Sequence, residues 1–272
     1  MKHTATIVMS ALLAATLTCT RLGGTAEAAE PATLRVLCYN IHYGQGVDGQ
    51  YDLPRLAAVI KNTKPDLVAL QEVDVGVRRS GQVHQAQRLG ELTDMAVRLG
   101  PTQHYEGGLF GNAVLTRLPI LDVVIHPLPY TESTPERVTY PRGAIAVTVR
   151  VADGSVLRFV STHFQHNVAE DRLAEAKTIN SLFAADQIPT ILAGDMNAAP
   201  DSEPIAELSK QWSNAADPEL SPTAPSGNPR SRIDYIFYRA APTLRLIRAE
   251  VIGEAVASDH RPVLAVFEMS SQ

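Results

Sequence analysis

Apolar runs that end in polar residues recur along this chain and indicate its architecture. Strands are expected where about four to eight apolar or alternating residues occur together, and helices where apolar residues recur every three or four positions. The predicted strands are 34–42, 66–73, 113–116, 120–125, 144–151, 156–162, 191–193, 233–238, 244–252 and 262–267. The predicted helices are 52–64, 83–99, 167–185 and 203–210. This mixture predicts one α/β domain in which two packed sheets are flanked by helices.

The stretch 188–200 shows the pattern most clearly. The apolar run 191–193 ends at Gly194, and the polar residues Asp195 and Asn197 follow. Because glycine allows a sharp turn, Asp195 and Asn197 would project from the carboxyl end of a strand, where α/β folds place their chemistry. An ordinary turn is the alternative, since Gly, Asp and Asn are all common turn residues.

The first 28 residues have the form of a secretory signal peptide. Lys2 precedes an apolar core at 7–17 that is too short to span a bilayer, and residues 26–28 read Ala-Glu-Ala, a cleavage site of the A-x-A type. A lipoprotein signal that ends at Cys19 is the alternative, although the residues before Cys19 form a poor lipobox. The sequence therefore predicts a domain at 29–272 that is exported to the periplasm or secreted.

Composition limits the partners of this domain. The chain is 45% hydrophobic, which is typical of a folded protein, and its formal net charge of −5 argues against a broad surface for polyanions. After the predicted signal peptide only Cys38 remains, so no internal disulfide can form there. Its apolar neighbours predict a small core residue.

Polar side chains at the ends of the predicted strands are the candidates for chemistry. Carboxylates beside apolar strands are costly unless they are paired or bind a cation, and oxygen donors favour Mg²⁺, Mn²⁺ or Ca²⁺ over structural zinc. Histidines suit phosphate contact, proton transfer or a softer metal. The set comprises Asn40, Glu72, His163, Asp195, Asn197, Asp234, Asp259 and His260.

Taken singly, these residues have simpler explanations. His163 would be an ordinary strand-end histidine, and Asp234 would form an ion pair with Arg232. Asp259 would cap a turn, and Asn40 would belong to one. Local signals of this kind are weak, so the prediction depends on the joint pattern.

Short motifs carry that joint pattern in order along the chain. They are Tyr39-Asn40-Ile41, Gln71-Glu72-Val73, the run Gly-Asn-Ala-Val-Leu-Thr-Arg at 111–117, Thr162-His163, Gly194-Asp195-Met196-Asn197, Arg232-Ile233-Asp234-Tyr235 and Ser258-Asp259-His260-Arg261-Pro262. Their order and spacing resemble the endonuclease/exonuclease/phosphatase superfamily, which has the DNase-I-like fold. The resemblance covers nearly all of 29–272 and implies a four-layer α/β sandwich that cleaves phosphate esters with a metal ion.

The resemblance also implies a role for each polar residue. The implied metal ligands are Glu72, Asn40 and Asp259, with Mg²⁺ as cofactor and Mn²⁺ or Ca²⁺ as alternatives. The implied catalytic residues are Asp195, His163, His260, Asp234 and Asn197. Asp195 would orient or deprotonate the attacking water, and His163 and His260 would stabilise the charged transition state. Asp234 would hold and charge His260. The implied phosphate-binding residues are Asn112, Arg142, Asn197 and His163.

Several positions depart from the nucleases of this family. Asp74 stands where nucleases often carry an arginine, and Leu109 and Phe110 stand where a tyrosine is usual. The segments Val73-Asp74, Arg79-Ser80-Gly81 and Gly107-Gly108 look more like an exported branch of metal-dependent phosphohydrolases.

These departures, with the acidic composition, favour a small substrate. The basic pair Arg78-Arg79 supplies few positive charges for binding a nucleic-acid duplex. We predict a monomeric phosphodiesterase or phosphatase for a small or lipid-linked phosphate ester, with peripheral membrane contact in the lipid-linked case. The alternatives are a secreted nuclease and an inactive protein that binds phosphate-bearing ligands.

Overall fold

The computed structural model describes Met1 and residues 32–152, 154–183, 185–239 and 243–269. The chain separates into a segment, Met1–Glu30, and a compact unit, Pro31–Gln272, and the second contains the described strands and helices. The signal peptide predicted for residues 1–28 lies outside the described residues, Met1 aside, and stays a prediction. Within the described ranges, no helix is long and apolar enough to cross a membrane.

Two six-stranded mixed sheets form the body of the unit. The first has the order β11 (Leu244–Val251), β12 (Val263–Met269), β1 (Ala32–Asn40), β2 (Leu67–Val75), β4 (Gly108–Thr116) and β3 (Ala96–Tyr105). The second has the order β5 (Ile120–Leu128), β6 (Arg142–Arg150), β7 (Val156–His163), β8 (Thr190–Asp195), β10 (Asp234–Tyr238) and β9 (Ser213–Asn214). The β1–β2 and β7–β8 pairs are parallel, and every other pair is antiparallel.

Helices cover the outer face of each sheet. They are α1 (Leu53–Thr63), α2 (Gln85–Thr93), α3 (Ala169–Phe183) and α4 (Glu203–Leu208). Helix α1 begins where the Asp52 carboxylate accepts a hydrogen bond from the Arg55 N–H at 2.9 Å, and Pro54 fits its first turn. It ends at Thr63, and the next residue, Lys64, has a left-handed backbone.

Three apolar clusters separate the resulting four layers. The central cluster joins the facing sides of the two sheets, with Val36 and Ala69 from the first and Phe159 and Ile191 from the second. A second cluster packs α1 and α2 on the first sheet, and a third packs α3 and α4 on the second. The predicted four-layer sandwich is confirmed. Cys38 is fully buried in the central cluster, as its neighbours predicted.

The predicted helix 83–99 is wrong in its second half. Helix α2 ends at Thr93, Asp94 takes a left-handed backbone, and β3 begins at Ala96. Residues 96–99 alternate between exposed and partly buried, which is the period of a strand, and they pair with β4. Pairing within the sheet therefore overrides the helical spacing of the apolar residues. Strands β3 and β9 were not predicted.

Candidate active site

The topology brings the polar strand ends to one edge of the sandwich. Parallel pairing aligns the carboxyl ends of β1 and β2, and likewise those of β7 and β8, where His163 lies opposite Asp195. Strand β10 is antiparallel to β8, so its first residue, Asp234, also lies opposite Asp195. Antiparallel pairing of β12 with β1 sets Val263 opposite Cys38, which places the residues just before β12 beside the end of β1.

Gly194 acts by close packing, not by turning the chain as predicted. It lies inside β8, and a Cβ atom there would be 2.3 Å from the carbonyl oxygen of Thr162. Only glycine permits this approach of β7 and β8. The close approach of Thr162 and Gly194 occurs one residue before the paired His163 and Asp195, and so it sets the distance between these two residues.

A cavity of about 310 Å³ opens at this edge. Six of its lining residues are predicted site residues: Glu72, Arg142, His163, Asp195, Asn197 and His260. Behind that lining, Asn40 and Asp234 are fully buried and contact Asp195 and His260 respectively. Asp259 lies beside His260, with its side chain 42% exposed. Asn112 is buried in β4, and its amide donates to the carbonyl of Gly143 at 2.9 Å, so it contacts the backbone next to Arg142.

Asn40 links the two sheets at the base of the cavity. Its side-chain nitrogen donates to Glu72 Oε1 at 3.1 Å and to Asp195 Oδ2 at 3.0 Å. Its oxygen accepts the backbone N–H of His42 at 3.0 Å, which fixes the orientation of the amide. Asn40 therefore presents nitrogen to both carboxylates.

Backbone strain accompanies this arrangement. Glu72 has a φ of 59°, and it occupies a register shift between Leu70 and Val73 in the pairing of β2 with β4. Asn197 has a φ of 47°. Non-glycine residues in this region are uncommon and cost free energy, which the surrounding structure must offset. At Glu72, the bulge turns the side chain into the cavity.

His260 and Asp234 form a buried pair. Asp234 Oδ2 is 2.9 Å from His260 Nδ1, and the other imidazole nitrogen faces Asp195 Oδ2 at 3.8 Å. Burial opposes charge on the ring, but Asp234, Asp195 and Asp259 together raise the pKa of His260 well above its ordinary value. The ring is therefore an imidazolium near neutral pH. Asp234 does not pair with Arg232, the alternative considered from the sequence, because Arg232 donates to Asp217 at 2.8 Å.

His163 is neutral by contrast. Burial, with Arg142 and His260 nearby, holds the pKa of His163 well below its ordinary value. Arg142 Nη1 lies 3.2 Å from Nδ1, and the Asn197 amide nitrogen lies 3.0 Å from Nε2. A neutral imidazole has one acceptor nitrogen. If that nitrogen faces Arg142, the Nε2–H points to Asp195 Oδ2 at 3.4 Å.

Asp195 lies among all of these groups. Burial and the neighbouring Asp234 raise the pKa of Asp195 to about 7, although His260, the Asn197 N–H and the Asn40 amide act in the opposite direction. Its Oδ1 accepts the Asn197 N–H at 2.8 Å. A carboxyl group with such a pKa can take up or release a proton near neutral pH.

The chain is similar to known proteins in sequence and in fold. A model of the Endonuclease/Exonuclease/phosphatase family matches residues 37–260. The chain belongs to this family. A solved endonuclease/exonuclease/phosphatase from Beutenbergia cavernae is 26% identical, with a TM-score of 0.73 over 88% of this chain and 72% of that one.

Two further solved structures share the fold. A mannosyl-6-phosphatase from Bacteroides thetaiotaomicron is 21% identical, with a TM-score of 0.66 over 86% of this chain and 99% of that one. The human Nocturnin catalytic domain with bound sulfate is 19% identical, with a TM-score of 0.65 over 88% of this chain and 95% of that one. Enzymes of the endonuclease/exonuclease/phosphatase family hydrolyse phosphoester bonds and depend on divalent cations.

Glu72, which lines the cavity, and Asp259, which lies beside His260, fit a hard divalent cation. Glu72 and Asp259 supply carboxylate oxygens, which Mg²⁺ prefers. Ser258 Oγ donates to the carbonyl of Asn40 at 2.7 Å and lies 3.4 Å from Asp259 Oδ1, which ties Asp259 to the strand end that contacts Glu72. Because the Asn40 oxygen already accepts from His42, its geometry suits a residue that orients Glu72.

A second acidic group lies deeper. Ligand atoms of Asp195, Asp234 and His260 are within 4.8 Å of one another, and all three residues are buried. Asp234 and His260 already use Oδ2 and Nδ1 on each other, which leaves fewer donors for an ion. This geometry suits proton chemistry better than ligation.

Some residues that line the cavity do not stand out in the sequence as site residues. Gln103 and Tyr105 lie on β3, beyond the overextended helix prediction, and His166 lies in a connecting segment. Arg79 stands out in the sequence only as half of a basic pair. The alternation of Val97-Arg98-Leu99 is a short strand signal that could have indicated β3 and so placed Gln103 and Tyr105 near the cavity.

Proposed function

We propose that this protein is an exported Mg²⁺-dependent hydrolase of small phosphate esters, either monoesters or diesters, whose alcohol is free or part of a lipid headgroup. The observation that carries the proposal is the charge pattern of the cavity. Arg142, only 6% exposed, reaches the lining beside neutral His163, charged His260 and Asp195. Hydrogen-bond donors and one titrating carboxyl group surround a single small cavity, and this arrangement suits one phosphoryl group.

In this proposal Asp195 handles the attacking water. Its pKa of about 7 lets it accept a hydrogen bond or a proton from water near neutral pH. The Asn197 N–H and the Asn40 amide hold its two oxygens, so the carboxyl group is oriented before the substrate arrives.

Arg142, His163 and Asn197 bind the phosphoryl oxygens. Arg142 contributes a buried positive charge, and His163 contributes an N–H without adding a second one. The Asn197 amide donates to the carbonyl of Phe164 at 3.0 Å, whereas Arg142 Nε has no hydrogen-bond acceptor among the described residues, and a phosphoryl oxygen would supply one. Asn112 positions this group through its hydrogen bond to Gly143.

His260 stabilises charge that builds up in the transition state. Its ring is held by Asp234 and carries the proton, so it can donate to an oxygen as negative charge develops. A divalent cation held by Glu72 and Asp259, with Asn40 supporting Glu72, would supply an electrophile for the phosphate oxygens.

A secreted nuclease is less well supported. The cavity lining contains two arginines, Arg79 and Arg142. Arg142 is buried, and Arg79 donates to both oxygens of Asp74, so neither offers an open charge to a backbone of many phosphates.

A substrate panel with purified residues 29–272 tests the proposal. It should contain p-nitrophenyl phosphate, bis-p-nitrophenyl phosphate, a hexose phosphate, sphingomyelin, a phosphoinositide and duplex DNA, each with Mg²⁺ and with excess EDTA. We expect hydrolysis of a small ester that EDTA abolishes and Mg²⁺ restores. Asp195→Asn should lower turnover by roughly a hundredfold, while Asp201→Asn, at an exposed position nearby, is the matched control.

The outcomes separate the candidate functions. Hydrolysis in excess EDTA, or equal activity of Asp195→Asn and wild type, would contradict the mechanism. Phosphate binding without hydrolysis of any ester would favour the inactive ligand-binding protein. Fractionation of cells that express the full chain tests export, and a cytoplasmic, full-length product would contradict it.

A further inference from the structure

One wall of the cavity takes no part in the proposed phosphoryl chemistry. It is formed by Arg79, Gln103, Tyr105 and Phe110, which come from the segment after β2 and from the β3–β4 hairpin. We refer to these four residues as the Arg79 wall. Arg142, His163 and Asn197 lie in other segments of the chain, which leaves this wall available to the part of a substrate that is not phosphate.

Arg79 is held rigidly in this wall. Its Nε and Nη2 donate to the two oxygens of Asp74, each at 2.9 Å, and Asp74 is fully buried. The guanidinium carbon lies 3.8 Å from the ring centre of Tyr43, 4.6 Å from that of Tyr105 and 5.4 Å from that of Phe110. A bidentate ion pair with three aromatic contacts fixes the position of the guanidinium group.

The wall nevertheless carries little net charge. Asp74 matches the charge of Arg79 at hydrogen-bond distance, so a second phosphate would find no excess positive charge there. Among the described residues, Arg79 Nη1 has no hydrogen-bond acceptor, and neither the Gln103 amide nor the Tyr105 hydroxyl has a hydrogen-bond partner. The wall therefore offers several neutral or charge-compensated hydrogen-bonding groups on an aromatic base.

We propose that the Arg79 wall is a subsite for a polyhydroxylated ring, a sugar or cyclitol that carries the scissile phosphate. This deepens the proposed function and rests on it. Ring hydroxyls both donate and accept, which matches the free N–H groups of Arg79, the amide of Gln103 and the hydroxyl of Tyr105. The apolar edges of such a ring suit Phe110, whose ring centre lies farther from the Arg79 guanidinium carbon, at 5.4 Å, than those of the two tyrosines.

Other ligand classes fit this wall less well. The rings of Tyr43 and Tyr105 already face the Arg79 guanidinium, which leaves less aromatic surface for stacking a nucleobase. An acyl chain would leave the polar groups of the wall without partners in a dry site, which costs free energy. A second phosphate would approach the buried Asp74 carboxylate as well as Arg79.

The test compares ring esters with an acyclic ester. Hexose and myo-inositol phosphates are measured beside glycerol phosphate, each as the monoester and as its methyl phosphodiester, for kcat/KM with Mg²⁺. Gln103→Leu removes the amide at similar size. The double change Asp74→Leu with Arg79→Met removes both charges together, because Arg79→Met alone would leave a buried unpaired carboxylate. Arg78→Met changes the exposed neighbouring arginine and is the control.

We expect wild type to prefer a ring ester to the glycerol ester. Each wall variant should lower kcat/KM for ring esters about tenfold more than for the glycerol ester, the scale of losing one or two hydrogen bonds. Arg78→Met should change neither. Equal losses on ring and glycerol esters, or losses confined to bisphosphorylated esters or nucleotides, would overturn the proposal. If the double variant fails to fold by circular dichroism, Gln103→Leu decides by the same criterion.

Binding gives a readout that does not need turnover. Myo-inositol phosphate should raise the thermal unfolding temperature of wild type more than glycerol phosphate does, and Gln103→Leu should remove the difference. If no ester is hydrolysed but myo-inositol phosphate still raises the unfolding temperature more than glycerol phosphate does, the proposed function is contradicted and the ring subsite remains supported. If the enzyme hydrolyses esters but myo-inositol phosphate stabilises it no more than glycerol phosphate does, and the wall variants lose equal activity on ring and glycerol esters, only the ring subsite is contradicted.

Discussion

Glu175 in α3 allows the electrostatics of the site to be tested through protein stability. The residue is fully buried, and one carboxylate oxygen accepts the Gln165 N–H at 2.9 Å. The other oxygen has no hydrogen-bond partner among the described residues. Burial is the largest influence and raises the pKa of Glu175 from 4.5 to about 8, against the opposing effects of the Gln165 N–H and Arg142.

The sign of the effect on stability follows from proton binding. Between about pH 4.5 and pH 8 the folded protein holds a proton on Glu175 that the unfolded chain has released, so rising pH favours unfolding. From about pH 5 to pH 7.5 this group alone lowers the free energy of unfolding by about 3 kcal/mol. Glu175→Gln keeps the shape and removes the titration.

The variant should therefore gain stability over wild type as pH rises, by about 3 kcal/mol between these two pH values. Urea unfolding at each pH, followed by the fluorescence of the single tryptophan, the buried Trp212, measures the difference. Glu170→Gln, at an exposed position of the same helix, is the control and should change the difference by less than ~0.5 kcal/mol. A stability difference between Glu175→Gln and wild type that does not depend on pH would refute the reasoning.

The roles proposed around the cavity lead to further measurable outcomes. Glu72→Gln should raise the Mg²⁺ concentration for half-maximal hydrolysis about tenfold or more with little change in unfolding temperature, since a charged ligand is lost while its shape is kept; an unchanged Mg²⁺ requirement would remove Glu72 from the ligand set. Asp234→Asn and His260→Ala should each lower kcat roughly a hundredfold, and the double variant should be little slower than His260→Ala, because both act through one imidazole; fully additive losses would argue against the pairing. Gly194→Ala should lower the unfolding temperature, because its Cβ would lie 2.3 Å from the Thr162 carbonyl oxygen; calorimetry that finds a change under about 2 °C would show that β7 and β8 can separate at little cost. Duplex DNA should be cleaved more slowly than bis-p-nitrophenyl phosphate at low and at physiological salt; rapid cleavage that collapses when salt is added would favour the nuclease.

Local patterns were sufficient for most of the fold. Ten of the described strands and the four described α-helices follow from apolar periodicity, because burial of one face or one run of residues is a local property of the sequence. The overextended helix shows the limit. Apolar residues near 92–99 fit a helical period, but the available partner strand β4 decides that 96–99 pair in a sheet.

The candidate site shows the same division. The sequence by itself determined which residue types stand at the strand ends, and hence that carboxylates, amides and histidines would share one edge. Only the tertiary structure decided how they pair: Asn40 reaches Asp195 across the two sheets, and Asp234 chooses His260 over the nearby Arg232. Such choices depend on strand register and on which groups are buried together, so no local pattern contains them. The Arg79 wall has the same origin, because Asp74, Tyr43 and Tyr105 surround one guanidinium only after three separate segments have packed.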